Sequence, residues 1–107
     1  GGHLASIDSQ EDLDFLMEWV LDPAETYWIG LNDRTAEGTF VYSSGTTFSF
    51  SNWGSYQPAT TLSNTEDCVY IMGDGTFFDD ACANSRQYLC ERAGAFTGAV
   101  PGDEFRF

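Results

Sequence analysis

Two acidic segments, each running into a cysteine, limit most strongly how this chain can fold: Glu66-Asp67-Cys68 and Phe78-Asp79-Asp80-Ala81-Cys82. A bridge between Cys68 and Cys82 would draw Glu66, Asp67, Asp79 and Asp80 into one small volume. Four carboxylates held that close repel one another unless a cation sits among them. Calcium fits the need, since it takes about six to eight oxygen ligands and carboxylates supply them well. The closed loop would contribute roughly 3 kcal/mol in the chain-entropy model. The chain has three cysteines, so one thiol stays outside any single bridge. With Cys68 and Cys82 joined, that thiol is Cys90. Oxidised cysteines place such a chain in an extracellular or secreted setting.

Charge narrows the partners. Asp and Glu total 17 against four Arg and no Lys, for a net charge of −13. Nucleic acid and anionic membranes are polyanions and are disfavoured by such a surface. Bound divalent cations would neutralise part of the charge; an acidic surface suited to a salty habitat accounts for it equally. The two explanations are compatible, because Asp8, Glu11, Asp12, Asp14 and Glu18 crowd one expected helix far from the cysteine-linked acids. No hydrophobic run approaches transmembrane length, which argues against membrane insertion. At 107 residues and 42% hydrophobic composition, with nine Phe, five Tyr and three Trp, the chain suits one globular domain.

Along the chain, Ser9 is the expected N-cap, with Asp8 and Glu11 an equally good capping box. Leu13, Leu16, Trp19 and Val20 follow helical spacing, and the helix should stop near Asp22-Pro23. Strands and loops follow. Tyr27 to Leu31 reads as a buried strand, and Thr39 to Tyr42 as another, with Thr46 to Phe50 pairing to it across Ser43-Ser44-Gly45. A polar stretch from Ser51 to Thr65 has no periodicity, and loops of that length in a compact domain are usually functional. Cys68 to Met72 and Thr76 to Phe78 flank the turn Gly73-Asp74-Gly75. Gln87 to Glu91 closes the domain as a strand. Residues 93–107 read as a linker or the start of a following module.

Six motifs in order resemble the C-type lectin-like domain: Gly1-Gly2-His3-Leu4-Ala5-Ser6-Ile7, Trp28-Ile29-Gly30-Leu31, Gln57-Pro58, the two acidic cysteine segments, and Tyr88-Leu89-Cys90-Glu91. The resemblance covers residues 1–92. It implies an α+β loop-in-a-loop fold, with helix, small antiparallel sheets and a long calcium-binding loop region. In the family the last strand is bridged to the first helix, and Cys90 is similar to the second member of that bridge. The chain therefore reads as N-terminally truncated, lacking the first strand and first helix, with an open edge on its last strand.

The resemblance also implies two calcium sites. For the sugar-binding calcium, Gln57 matches the proline motif, Glu66 the acid before the cysteine, and Asp79 and Asp80 the final Asn-Asp pair, with Phe78 in place of the usual Trp. Ala59 stands where the family has an Asn or Asp that ligates both metal and sugar, and the stretch between Pro58 and Cys68 is about one residue longer than the commonest family spacing. Asn64 and Ser63 are candidate substitutes. For an auxiliary calcium, Asp33, Glu37 and Asp67 match, while Thr60 replaces an expected Asp. Tyr56 is the aromatic beside the loop able to stack on a sugar. The plainer readings are a turn cap for Asp33, a turn end for Glu37-Gly38, core packing for Trp28, Trp53, Phe77 and Phe78, and a structural role for His3.

The implied function is an extracellular, calcium-dependent carbohydrate-binding module whose partner is a glycan or glycoprotein. Sugar hydroxyls would complete the calcium shell, and Gln57 is similar to the galactose-preferring variant. The competing function is a lectin-like domain that binds a protein surface or serves a structural role without a working sugar site, which Ala59 favours. An enzyme is disfavoured. Glu66 with Asp79 or Asp80 could be drawn as a glycosidase pair, but the sole His is His3 and the cysteines sit in disulfide contexts.

Overall fold

The computed structural model describes residues 3–36, 38–57, 67–92 and 95–100. Its elements are β1 (His3–Leu4), α1 (Gln10–Trp19), β2 (Thr26–Asn32), β3 (Val41–Tyr42), β4 (Cys68–Met72), β5 (Phe77–Asp80), β6 (Gln87–Arg92) and β7 (Ala95–Val100). One α-helix and one seven-stranded sheet make an α+β architecture.

Of the two helix starts the sequence offers, α1 takes the Ser9 cap. The Ser9 side chain accepts from the Asp12 N–H at 3.2 Å, while Asp12 Oδ2 accepts from the Asp8 N–H at 3.1 Å. One orphan donor of the first turn, the Asp12 N–H, is thereby satisfied, and the Asp8 N–H just ahead of the cap is bonded as well. Leu13 and Leu16 face the core. Trp19 does not: at the last helical position it is 70% exposed, and the apolar stripe continues through half-buried Val20 and buried Leu21.

The main sheet path runs β1-β6-β2-β4-β5, with β3 beside β2 and β7 beside β6. The pairings are antiparallel except β2 with β6, which run parallel through Tyr27↔Gln87 and Trp28↔Tyr88. The two separate antiparallel sheets implied by the resemblance are thus one mixed sheet among the described residues.

Strand alternation gives this sheet two buried faces. Tyr27, Ile29, Leu31, Val69, Ile71, Phe77 and Leu89 pack with Leu13 and Leu16 of α1. On the other face Leu4, Trp28, Cys68, Tyr88 and Cys90 form a second cluster, with Tyr70 and Cys82 against it. A strand buried on both sides has no polar alternation, which is why Tyr27 to Leu31 reads as a continuous apolar run.

Three expectations are corrected. Residues 46–50 carry no strand; Phe48 and Phe50 serve the core as loop side chains, edge-on to Tyr42 and Phe77 with ring centroids 6.1 and 6.5 Å apart. Residues 95–100, read as linker or the start of a following module, form β7 along β6, with a bulge between Cys90 and Glu91. The last strand of the lectin-like region consequently has no open edge: β1 and β2 pair with it on one side and β7 on the other. Pairing satisfies main-chain groups that an exposed edge would leave open.

Candidate functional site

The Cys68–Cys82 bridge is present, with Cα atoms 5.1 Å apart. It ties the start of β4 to the loop following β5, on the second face of the sheet. Cys90 lies buried outside the bridge, and burial pushes its thiol up from the ordinary value. Its Sγ donates to the Tyr88 carbonyl at 3.7 Å.

The register of β2 on β4 sets Asn32 opposite Cys68, so the residue after one strand meets the residue before the other. The Asp33 N–H donates to the Asp67 carbonyl at 2.9 Å. Asp33 is 2% exposed. Its Oδ2 accepts from the Gly38 N–H at 2.8 Å, which closes the 33–38 loop. Its Oδ1 is buried with no hydrogen-bond partner among the described residues. A buried, ionisable oxygen left in that condition is costly unless a cation meets it. Asp33 and Asp67 are adjacent through their main-chain hydrogen bond. Glu37, the third expected member of the auxiliary site, and Thr60 lie outside the described residues, as do Ala59, Ser63, Asn64 and Glu66.

Asp79 and Asp80 do not act as a pair. They are successive residues of β5, so the pleat sends them to opposite faces. Asp79 is buried, opposite Val69 in the sheet, and its N–H donates to Gln57 Oε1 at 3.1 Å. Asp80 lies opposite Cys68 and turns to Arg86, with which it forms an ion pair. Asp80 Oδ2 also accepts from Asn84 at 2.9 Å, and Oδ1 from the Ala81 N–H at 2.8 Å. Burial alone would raise the Asp80 carboxyl, but these hydrogen bonds and the Arg86 charge outweigh it and hold the group below its ordinary value. Both Asp80 oxygens accept hydrogen bonds here, as Gln57 Oε1 does, so a cation at Asp80 would compete with Arg86. Among the described residues no three acidic, His or Cys side chains gather as a metal group; Glu66, the fourth acid of the expected nest, lies outside them.

Arg86 is the residue the sequence reading missed. Its guanidinium lies 3.7 Å from the Tyr70 ring centroid and 5.1 Å from that of Trp28, and it donates to Thr26 Oγ1 at 3.3 Å. A signal was available: Arg86 is one of four cations in a chain of net charge −13, close in sequence to Asp80. The core aromatic of β5 is Phe77, fully buried; Phe78 stacks on Tyr70 with centroids 5.7 Å apart.

The Gln57 side is built from a turn. The Gln57 N–H donates to the Gly54 carbonyl at 3.2 Å, and the Gly54 N–H to the Phe77 carbonyl at 2.9 Å. Tyr56, inside this turn, is 99% exposed.

Comparison with known proteins agrees with this architecture. Residues 1–92 match the family model described as the lectin C-type domain. The chain is 36% identical over 105 residues to human C-type mannose receptor 2, covering 96% of the chain but 7% of the receptor. Similar solved structures include the cow C-type carbohydrate-recognition domain of CD23, crystallised in the presence of a GlcNAc2Man3 oligosaccharide. It has TM-score 0.73 and 32% identity, over 85% of this chain and 69% of that one. A calcium-independent type II antifreeze protein is also similar, with TM-score 0.74 and 26% identity, over 94% of this chain and 71% of that one. The family is one of binding domains and not of enzymes. With its helix, mixed sheet, Cys68–Cys82 bridge and adjoining Asp33 and Asp67, the chain belongs to the lectin C-type domain family.

Proposed function

We propose that this domain binds calcium and, through it, a glycan or glycoprotein, as an extracellular module of a larger protein. The observation that carries the reading is the buried Asp33 Oδ1, which has no donor among the described residues and stands beside Asp67. Asp33 and Asp67, with Glu37 as a further candidate, would hold one calcium. Gln57 and Asp79, with Glu66, are the candidates for a sugar-binding calcium. When bound, calcium supplies coordination positions that sugar hydroxyls can complete. The chain's own part is positioning: the Asp79 N–H holds Gln57 Oε1 against β5, which fixes the direction of the amide. Gln57 at this position favours a galactose-type sugar. Tyr56 stands next to it.

A second reading draws on Asp80. With its carboxylate committed to Arg86, one expected ligand is missing from the sugar site, and Ala59 removes another. A protein-binding or structural domain without sugar recognition accommodates both. Glycan-array binding in calcium, repeated with excess chelator, separates the two. Signal lost on chelation supports calcium-mediated glycan binding. No signal with any glycan, together with measurable calcium binding, supports the second reading.

A further inference from the structure

Helix α1 turns two aromatic rings away from the core. Leu13 and Leu16 are buried, while Phe15 is 50% and Trp19 70% exposed. Four positions apart, Phe15 and Trp19 lie on one helix face, one above the other. The Phe15 ring stacks on half-buried Phe96 of β7, with centroids 6.4 Å apart and planes 21° from parallel. Phe96 holds Phe15 in place and carries the apolar surface from the helix onto β7. A single exposed apolar side chain needs no explanation, but neighbouring aromatics on a fixed base are the usual centre of a contact surface.

The border of this surface is acidic. Glu11 stands four residues before Phe15 and Glu18 three after it, so both exposed carboxylates flank the rings on the same face. Asp8, Asp22 and Glu25 continue the charge past both helix ends, and between His3 and Arg34 the sequence holds no basic residue to offset it. Glu18 also works against the helix. It sits in the last turn, which has no basic residue, at the negative end of the helix dipole. Exposed rings and a badly placed carboxylate both cost the fold and suit a partner. None of these residues is a calcium or sugar candidate, so the surface stands whether or not the glycan reading holds.

We infer that the outer face of α1, centred on Phe15 and Trp19, docks a basic protein segment that intersperses Lys or Arg with apolar side chains. Its apolar groups cover the two rings. Its cations meet Glu11 and Glu18 or lie over the Trp19 indole. Charge decides against other occupants. A second copy would set the same carboxylates against one another, and an anionic bilayer would be repelled by the same border.

The probe is an amphipathic helical peptide of Lys and Leu, compared with counterparts carrying Glu for Lys or Ser for Leu. Each is titrated by calorimetry, in chelator, against the parent chain, Trp19→Ser, Glu18→Lys and Val41→Ser, the last removing an exposed apolar side chain on β3. The parent should bind the Lys/Leu peptide about tenfold or more tightly than either counterpart, and more weakly as salt rises. Trp19→Ser and Glu18→Lys should each lose about tenfold or more, and Val41→Ser should stay within about twofold. Trp19→Ser should melt with the parent, since its ring is exposed, and Glu18→Lys at or above it, since a cation suits the last turn. A parent that ignores the Lys/Leu peptide, or equal affinity in Trp19→Ser, would overturn the inference. A clear fall in the Trp19→Ser melting point would also overturn it, by assigning the ring to the fold. So would Trp19-dependent dimerisation in sedimentation, or tighter binding to phosphatidylserine vesicles than to the peptide, since each gives the face to another occupant.

Discussion

The Asp33 N–H donates to the carbonyl of Asp67 at 2.9 Å, which joins the exit of β2 to the entrance of β4. This bond sets two acidic residues, 34 positions apart in the chain, side by side, with one of them almost wholly buried. The remaining Asp33 oxygen has no hydrogen-bond partner among the described residues, so on the proposed reading the position should be sensitive to whether a cation is bound.

Replacing Asp33 by Asn tests that sensitivity in both directions. Without calcium, D33N should be as stable as the parent or more so, because a buried negative charge is removed. With calcium, the parent should gain stability with metal concentration and D33N should gain less, with calcium affinity reduced by about tenfold or more. Calorimetric titration and thermal melts with and without chelator give both readings. Equal calcium affinity in D33N and the parent would remove Asp33 from the site.

Asp80 should behave in the opposite way. Asp80→Asn ought to leave calcium affinity within about twofold, because its carboxylate serves Arg86, Asn84 and the Ala81 N–H. Arg86→Met should cost about 1–3 kcal/mol in denaturant unfolding, through the stranded Asp80 and the lost stacking on Tyr70. A large loss of calcium binding in Asp80→Asn would show that the carboxylate leaves Arg86 for the metal.

The same cluster sets an acid limb. The folded pKa of Asp80 is lowered. Its contribution to stability is therefore full above the unfolded value of about 3.9 and is lost as pH falls through the lower folded value. Asp80→Asn should flatten that limb in chelator-containing denaturation series between roughly pH 5 and pH 2. An unaltered profile would contradict the assignment.

Tyr42 sets an alkaline limb. Its hydroxyl accepts from the Ile7 N–H at 3.1 Å and donates to the Ile7 carbonyl at 3.2 Å. Burial pushes its pKa up to about 12. A raised folded value means the neutral phenol is favoured by the fold. The contribution is present below the unfolded value of about 10 and is lost as pH rises through about 12. Tyr42→Phe should cost about 1–2 kcal/mol at neutral pH, since both Ile7 groups lose their partner, and should remove this alkaline loss. Stability curves from pH 7 to 12, with phenolate absorbance, check both.

Gly73 tests the packing of the hairpin against the end of α1. Its N–H donates to the Glu25 carbonyl at 3.1 Å, and a Cβ there would overlap the Asp22 carbonyl oxygen and the Pro23 Cα. Those are backbone atoms that cannot rotate away, so Gly73→Ala should cost about 1–3 kcal/mol in denaturant unfolding. A neutral substitution would show that the 22–25 segment yields freely.

The elements most legible in the sequence are those whose signals are local. Ser9 with Asp12 marks the start of α1 because a cap needs only three neighbours. Tyr27 to Leu31 and Cys68 to Met72 announce themselves by apolar runs, and Gly73-Asp74-Gly75 by its turn chemistry. Thr46 to Phe50 was misread because β-branched and aromatic residues serve equally in a strand or in a loop that feeds rings into a core. Residues 95–100, read as linker or the start of a following module, form a strand because β6 supplies the partner, which the local sequence does not disclose.

Sequence alone determined the family's motifs in order, the acids beside the cysteines and the absence of a nucleophile set, because these depend on residue identity and spacing. Tertiary structure decided which acids meet. The β2–β4 register brings Asp33 to Asp67, while the pleat of β5 turns Asp79 inward and hands Asp80 to an arginine. Which side of a strand a residue faces depends on the register of its partners, and that is fixed only when distant segments pair.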